Sequence, residues 1–303
     1  MYRLFILLIL ICGCSSEEPE APAGGVPATL AFAGNLEDKN IAEASGLAAS
    51  QRRADLLWTH NDSGAKARLY AIDLSGRSVG RAKLKNADNV DWEDIASFTL
   101  DDIPYLLVAD VGDNEHKRDT VMLYVVEEPD LADDAKPDIT PAWRIEFRYP
   151  DGPRDVEAVA VDIENERVLL LAKRTIPAEL YSLPLRPASD ELQVATLLGK
   201  IDSLPQPTRR DVDFALKTKS WHWQPTAMDI APDGSAIAIV TLAPAVYLYE
   251  RDGDWLSTLQ ASPLKFTLRG IREPESVAYS ADGKSLYITH EKKNAALLRI
   301  DFD

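Results

Sequence analysis

Two stretches of this chain repeat one another at a fixed offset. Gln224–Gly234 (QPTAMDIAPDG) and Glu273–Gly283 (EPESVAYSADG) align 49 positions apart, and each leads into a further apolar run. A unit of this length cannot bury its own apolar face, so copies must stack on one another. The heart of the phrase, a polar residue two places before an aliphatic one, recurs as Ser45-Gly46-Leu47, Glu93-Asp94-Ile95 and Glu157-Ala158-Val159. The polar positions fall at 45, 93, 157, 226 and 275, giving spacings of 48, 64, 69 and 49 residues.

Each phrase opens a strand, and short apolar runs bounded by Gly, Pro, Asp and Asn follow it, an all-β pattern. Second strands are predicted at Leu56–Thr59, Tyr105–Ala109, Val168–Ala172, Ala236–Thr241 and Ser285–Thr289. Third strands are marked by Leu69-Tyr70, Leu123-Tyr124, Leu180-Tyr181, Leu248-Tyr249 and Leu297-Leu298. Fourth strands are expected at Ser78–Leu84, Ala142–Tyr149, Leu192–Ile201 and Leu264–Leu268. The fifth repeat ends before its fourth strand, and Ala28–Phe32 can fill that place. The sum is a five-bladed β-propeller closed by its N-terminal strand, an arrangement that removes exposed sheet edges. Insertions stand near Glu127–Pro141 and Pro187–Trp223, and a sixth blade inside the second is the alternative.

The N-terminal segment reads as a processing signal. Arg3 precedes the apolar run Leu4–Ile11, which is too short to span a bilayer at roughly 20 residues per crossing. Ile11-Cys12-Gly13-Cys14 has the form of a bacterial lipobox, so residues 1–13 are expected to be removed and Cys14 to carry acyl chains. Ser15 after the cysteine points to the outer membrane. Residues 14–29, rich in Ser, Glu, Pro, Ala and Gly, read as a tether. The remaining 30–303 form one domain, and with no cysteine after Cys14 a hydrophobic core rather than disulfides must hold it. A net charge of −16 argues against nucleic acid as a partner and favours cations.

In each blade the first strand lies nearest the axis, so Ser45, Glu93, Glu157, Thr226 and Glu275 are expected to converge on the central channel. Carboxylates crowded there would repel one another and take up protons unless a cation intervened. All-oxygen ligands suit Ca²⁺, and suit Mg²⁺ less well. With four histidines and no cysteine in the domain, zinc is disfavoured. Pairing with neighbouring Lys or Arg is the competing reading of the same carboxylates. The loops after the second strands reach the same mouth and bring His60-Asn61-Asp62, Asp110 with Asp113-Asn114, Lys173-Arg174 and His290-Glu291. Lys173 and Arg174 could hold an anion, His60 or His290 could move a proton and Asp110 could orient water. Trp58, Trp92, Trp221 and Trp223 either line the mouth or belong to the core.

Five blades with Ser, Glu, Glu, Thr and Glu in order round the axis resemble the calcium-activated nucleotidases, the soluble apyrases. Glu43-Ala44-Ser45, Asn61-Asp62-Ser63-Gly64 and Leu69-Tyr70 look like that family's first blade, and Leu106-Leu107-Val108 with Gly112 is similar to its second. Lys173-Arg174 stands where the family has a basic pair. The resemblance implies axial calcium and hydrolysis of nucleoside diphosphates. The tandem phrases also resemble bacterial esterase-like phytase relatives and lactonases. Two functions follow as expectations. One is a metal-dependent hydrolase of a small phosphate ester or anhydride, and the other is a non-catalytic propeller that grips a peptide, glycan or envelope partner.

Overall fold

The computed structural model describes residues 28–131, 136–218 and 223–302. The signal segment, Cys14 and Trp221 lie outside the described residues, as does most of the tether. The first strand, β1 (Ala28–Asn35), begins two residues inside the expected tether. Blade one follows as β2 (Ala44–Ala49), β3 (Leu56–Asn61), β4 (Arg68–Asp73) and β5 (Ser78–Leu84). Blade two is built from β6 (Trp92–Leu100), β7 (Ile103–Asp110) and β8 (Val121–Glu127); after the short β9 (Asp138–Ile139), β10 (Pro141–Arg148) completes it. Blade three has β11 (Val156–Asp162), β12 (Arg167–Ala172), β13 (Ala178–Pro184), the short β14 (Gln193–Val194) and β15 (Thr196–Ile201). Helix α1 (Arg209–Thr218) leads to blade four, β16 (Pro225–Ile230), β17 (Ala236–Thr241) and β18 (Ala245–Glu250). Helix α2 (Trp255–Gln260) precedes its outer strand β19 (Leu264–Thr267). Blade five contains β20 (Pro274–Tyr279), β21 (Ser285–His290) and β22 (Ala296–Phe302).

The fold is the expected five-bladed propeller, and its closure is the expected one. β1 runs antiparallel to β22, with Ala28 opposite Phe302 and Asn35 opposite Ala296, and so becomes the outer strand of blade five. The five first strands contact one another in a ring, β2 to β6 to β11 to β16 to β20 and back to β2. Their burial is nearly complete, and the apolar side chains sort into five clusters, each shared by two adjacent blades. The last joins Leu47, Leu57 and Tyr70 of blade one to Ala278, Tyr287 and Leu297 of blade five. This is the stacked core that a repeat of this kind requires.

The insertions do not make a sixth blade among the described residues. The first supplies β9, which adds in parallel to the edge of β5 in blade one through Lys83–Asp138 and Leu84–Ile139. The second region supplies β14, which adds in parallel to β10 of blade two, and then α1. Blades two and three therefore each lend a short strand to the edge of the blade before. Leu192–Ile201, expected as one fourth strand, is divided between these two duties, β14 for blade two and β15 for blade three.

One irregularity recurs at the entry of all five first strands. The pairing with the second strand slips by one residue between Trp92 and Asp94, Val156 and Ala158, Pro225 and Ala227, and Pro274 and Ser276. In blade one the slip falls between Ser45 and Leu47. A bulge re-aims the side chain it leaves unpaired, and in blades two to five that residue is Glu93, Glu157, Thr226 or Glu275. In blade one the unpaired residue is Gly46, whose φ of +74° suits glycine. A Cβ there would stand 2.7 Å from the Ile95 nitrogen, so blade two could not pack so closely on any other residue.

Candidate functional site

Glu93 and Glu157, two of the predicted axial acids, stand at the centre of an acidic mouth. Among the described residues, carboxylate oxygens of Asp62, Asp91 and Glu93 lie within 4.8 Å of one another, and so do those of Glu93, Asp155 and Glu157. Glu93 belongs to both groups. Glu275 of blade five and Glu291 after β21 border them, with Glu291 hydrogen-bonded to Asp62. Gly112 is the loop residue that makes room. A Cβ on it would lie 2.0 Å from Glu93 Oε1 and 2.6 Å from Asp91 Oδ2.

Burial dominates the electrostatics. It pushes the Glu93 carboxyl well above the ordinary range, and the charges of Asp62, Asp91 and Asp155 push it further against the opposing pull of Lys173. Asp91 is raised to about 6 by burial and by Asp62 and Asp155. Glu291 is raised to about 7 by burial and Asp62. Glu275 reaches about 8 through burial, in spite of Lys173. Burial also raises Asp62. Burial and mutual repulsion thus favour the protonated forms of these acids, a preference that a bound cation would reverse.

Ser45 and Thr226 are in the ring, but as braces between blades. Ser45 Oγ donates to the Glu93 carbonyl at 2.6 Å, and Thr226 Oγ1 donates to the Pro274 carbonyl at 2.6 Å. Their lone pairs are what remains to offer an ion. Of the expected second set, Lys173 does reach the ring, where its ammonium pairs with Glu157 Oε1. Arg174 pairs with Asp155 Oδ2 at 2.5 Å and with Asn114. The competing expectation, that basic side chains neutralise the axial acids, therefore accounts for part of the site. The other oxygen of Glu157, Oε2, is buried and has no hydrogen-bond partner among the described residues.

His60 does not have the setting of a proton carrier at neutral pH. It is fully buried, its ring edge-on to Trp92 at 5.5 Å, and burial lowers its pKa to about 4. Asp110 is also buried, accepting from the Asp91 and Val90 amides at 3.1 and 3.4 Å and pairing with Arg118 at 2.8 Å. That geometry holds the loop carrying Asp91 instead of presenting a carboxylate to water. Asn61 accepts from the Ala42 amide and donates to the Asn40 carbonyl, and Asp113 accepts from the Lys117 and Arg118 amides. Trp58 and Trp92 are core residues, donating to Glu128 and to the Asp88 carbonyl respectively, both at 2.9 Å. Trp223 lies beside Lys173 and Pro225 in a small inter-blade cavity.

Three residues of the site escaped the sequence reading as ligands. Asp62 was visible only as part of a mouth loop, and Asp91 and Asp155 were not singled out. A signal existed. Asp91 and Asp155 each stand two places before an axial glutamate, and Glu43, Gln224 and Glu273 hold the same offset from Ser45, Thr226 and Glu275. Of these five, Asp91 and Asp155 join the acidic groups and Gln224 is fully buried, whereas Glu43 and Glu273 are exposed.

Asp94 lies further along the channel and was likewise missed. Its Oδ2 accepts from the Val159 amide of blade three at 2.9 Å and from the Met228 amide of blade four at 3.4 Å. Its Oδ1 accepts from Ile95 N at 2.9 Å. A side chain on blade two that reaches blade four crosses the axis. Asp229 makes a shorter tie, from blade four to the Tyr279 amide of blade five at 2.8 Å.

No protein-family description matches the chain, and no curated protein matches it. Among solved structures it is similar to a luciferin-regenerating enzyme, at 8% identity over 91% of this chain and 95% of that one, with a TM-score of 0.46. It is also similar to the WD40 repeats of RRP9, at 12% identity over 86% of this chain and 67% of the other, TM-score 0.42. U3-55K gives 12% identity over 86% and 68%, TM-score 0.42. The propeller hosts many unrelated functions, so function has to be argued from the mouth.

Proposed function

We propose that this chain is a bacterial envelope lipoprotein, acylated on Cys14 and held in the outer membrane, whose propeller mouth binds a hard divalent cation, calcium foremost, and acts on a small phosphate ester or anhydride. The observation that carries the metal reading is the convergence of Asp62, Asp91, Glu93, Asp155 and Glu157, with Glu157 Oε2 buried and without a hydrogen-bond partner among the described residues. All-oxygen donors with high negative charge are calcium's preferred set. Bound there, the cation would polarise a phosphate oxygen or a water. Glu93, Glu157 and the acids two places before them would hold it, with Ser45 and Thr226 bracing the blades around it. A cation on Glu157 Oε2 would weaken the hold of Oε1 on the Lys173 ammonium and leave that charge closer to an anionic ligand. Glu291, raised to about 7 and outside the two acidic groups, is the carboxyl best matched to accept a proton at neutral pH.

A non-catalytic reading also has a specific observation behind it. His60, Asp110, Lys173 and Arg174 all have protein partners or deep burial, which suits a mouth that only ties blades together and grips an envelope partner. A panel of phosphate esters, phosphoanhydrides, lactones and carboxylesters, each with Ca²⁺ and with EDTA, separates the two. The hydrolase reading expects turnover of phosphate substrates with Ca²⁺ alone, lost in Glu93→Gln. Calcium-dependent stabilisation without any turnover would leave the binder. Acylation is checked separately. Labelled palmitate is expected to enter the wild-type chain, whereas Cys14→Ser is expected to incorporate none and to leave the membrane fraction.

A further inference from the structure

We propose that the mouth holds two divalent cations side by side, with Glu93 as the ligand that bridges them. This deepens the cation reading above and rests on it. The two groups of acids sit on different seams of the propeller. Asp62 comes from the loop after β3, and Asp91 and Glu93 lead into β6, so the first group spans blades one and two. Asp155 and Glu157 lead into β11, so the second spans blades two and three. Oxygens within 4.8 Å of one another fit round one ion, since calcium–oxygen distances of roughly 2.4 Å place opposite ligands about 4.8 Å apart. The two groups are separate nests for separate ions, and a carboxylate has one oxygen for each. Carboxylate-bridged pairs of this kind hold their ions about 3.5–4 Å apart.

Further observations point the same way. Glu157 Oε1 is taken by Lys173, while its Oε2 is buried with no hydrogen-bond partner among the described residues, an oxygen of a second-nest acid that a cation could use. Glu93 is 6% exposed, and its carboxylate accepts no hydrogen bond from any described residue. Both of its oxygens are therefore available, which a bridging ligand needs and a singly bound one does not. Asp155 accepts from the Asp113 amide at 2.9 Å and from Arg174, the outer contacts that orient a ligating carboxylate.

The test is ion stoichiometry on the full-length chain in detergent. Calorimetric titration with Ca²⁺ is expected to give two ions per chain. Asp62→Asn and Glu157→Gln, which touch one nest each, are each expected to give one. Mn²⁺ loaded to saturation is expected to show an exchange-coupled electron paramagnetic resonance signal, lost in Glu93→Gln. One ion in the wild type would overturn the pair while leaving the single-cation reading intact. No ion would overturn both. Two ions with uncoupled Mn²⁺ spectra would remove Glu93 as the bridge.

Discussion

Asp94→Ala is expected to cost about 4 kcal/mol of folding stability, one of the largest losses from a single side chain in this molecule. The magnitude follows from what the carboxyl satisfies. Val159 N, Ile95 N and Met228 N all donate to it in a fully buried setting. An orphaned buried donor costs roughly 1–3 kcal/mol, and alanine strands three. The lost tie also crosses the axis, so blades two, three and four lose a common anchor. Urea unfolding should show the midpoint fall with its slope unchanged. Asp94→Asn is the control. Burial holds the Asp94 carboxyl well above the ordinary range, against the lowering pull of its three amide donors. An amide keeps one acceptor oxygen, and about half the loss is expected. A loss below 1 kcal/mol in the alanine variant would mean that water in the channel replaces the carboxyl.

Calcium is expected to raise the melting temperature by about 5–10 °C at pH 8, and by far less at pH 5. At a hundredfold excess over its dissociation constant a ligand adds about 2.7 kcal/mol, and a domain of this size gains roughly 2–4 °C per kcal/mol. The pH dependence follows from the mouth acids. Asp91, Glu291 and Glu275 have folded-state values of about 6, 7 and 8, and unfolded carboxyls titrate near 4. Between those limits the folded chain holds more protons than the unfolded one, so without metal its stability falls as pH rises from about 4 to about 8. The cation needs the deprotonated acids, so its stabilisation grows over that window. Scanning calorimetry at pH 5 and pH 8, with EDTA and with Ca²⁺, reads both trends. Glu93→Gln should remove most of the calcium effect at pH 8. Equal calcium shifts at the two pH values would show that these acids are not the ligands.

The architecture was legible because it is repeated. One phrase at five positions predicts five innermost strands, and the pattern of Leu-Tyr pairs finds the third strands with no help from three-dimensional contacts. The closing strand followed from counting, since a fifth blade short of one strand has to borrow it. β9 and β14 were not legible, because two-residue strands carry no alternation for a pattern to register and owe their pairing to a neighbouring blade. The site divides in the same way. Glu93 and Glu157 follow from phase alone. The destiny of Lys173 and Arg174 depends on which oxygen stands opposite each of them, and sequence spacing does not encode that. His60 looked like mouth chemistry for its loop position, but the last residues of β3 still lie under the blades, and the ring is sealed against Trp92.

The closing strand also decides how the molecule is presented. Ala28 pairs with Phe302, and Phe302 borders a cleft with the turns Pro232–Gly234 and Ala281–Gly283. Those turns lie at the ends of β16 and β20 remote from the acids. The polypeptide thus enters the propeller from underneath. Were Cys14 acylated as proposed, the tether would join the propeller at the face opposite the acids, leaving the mouth clear of the point of attachment.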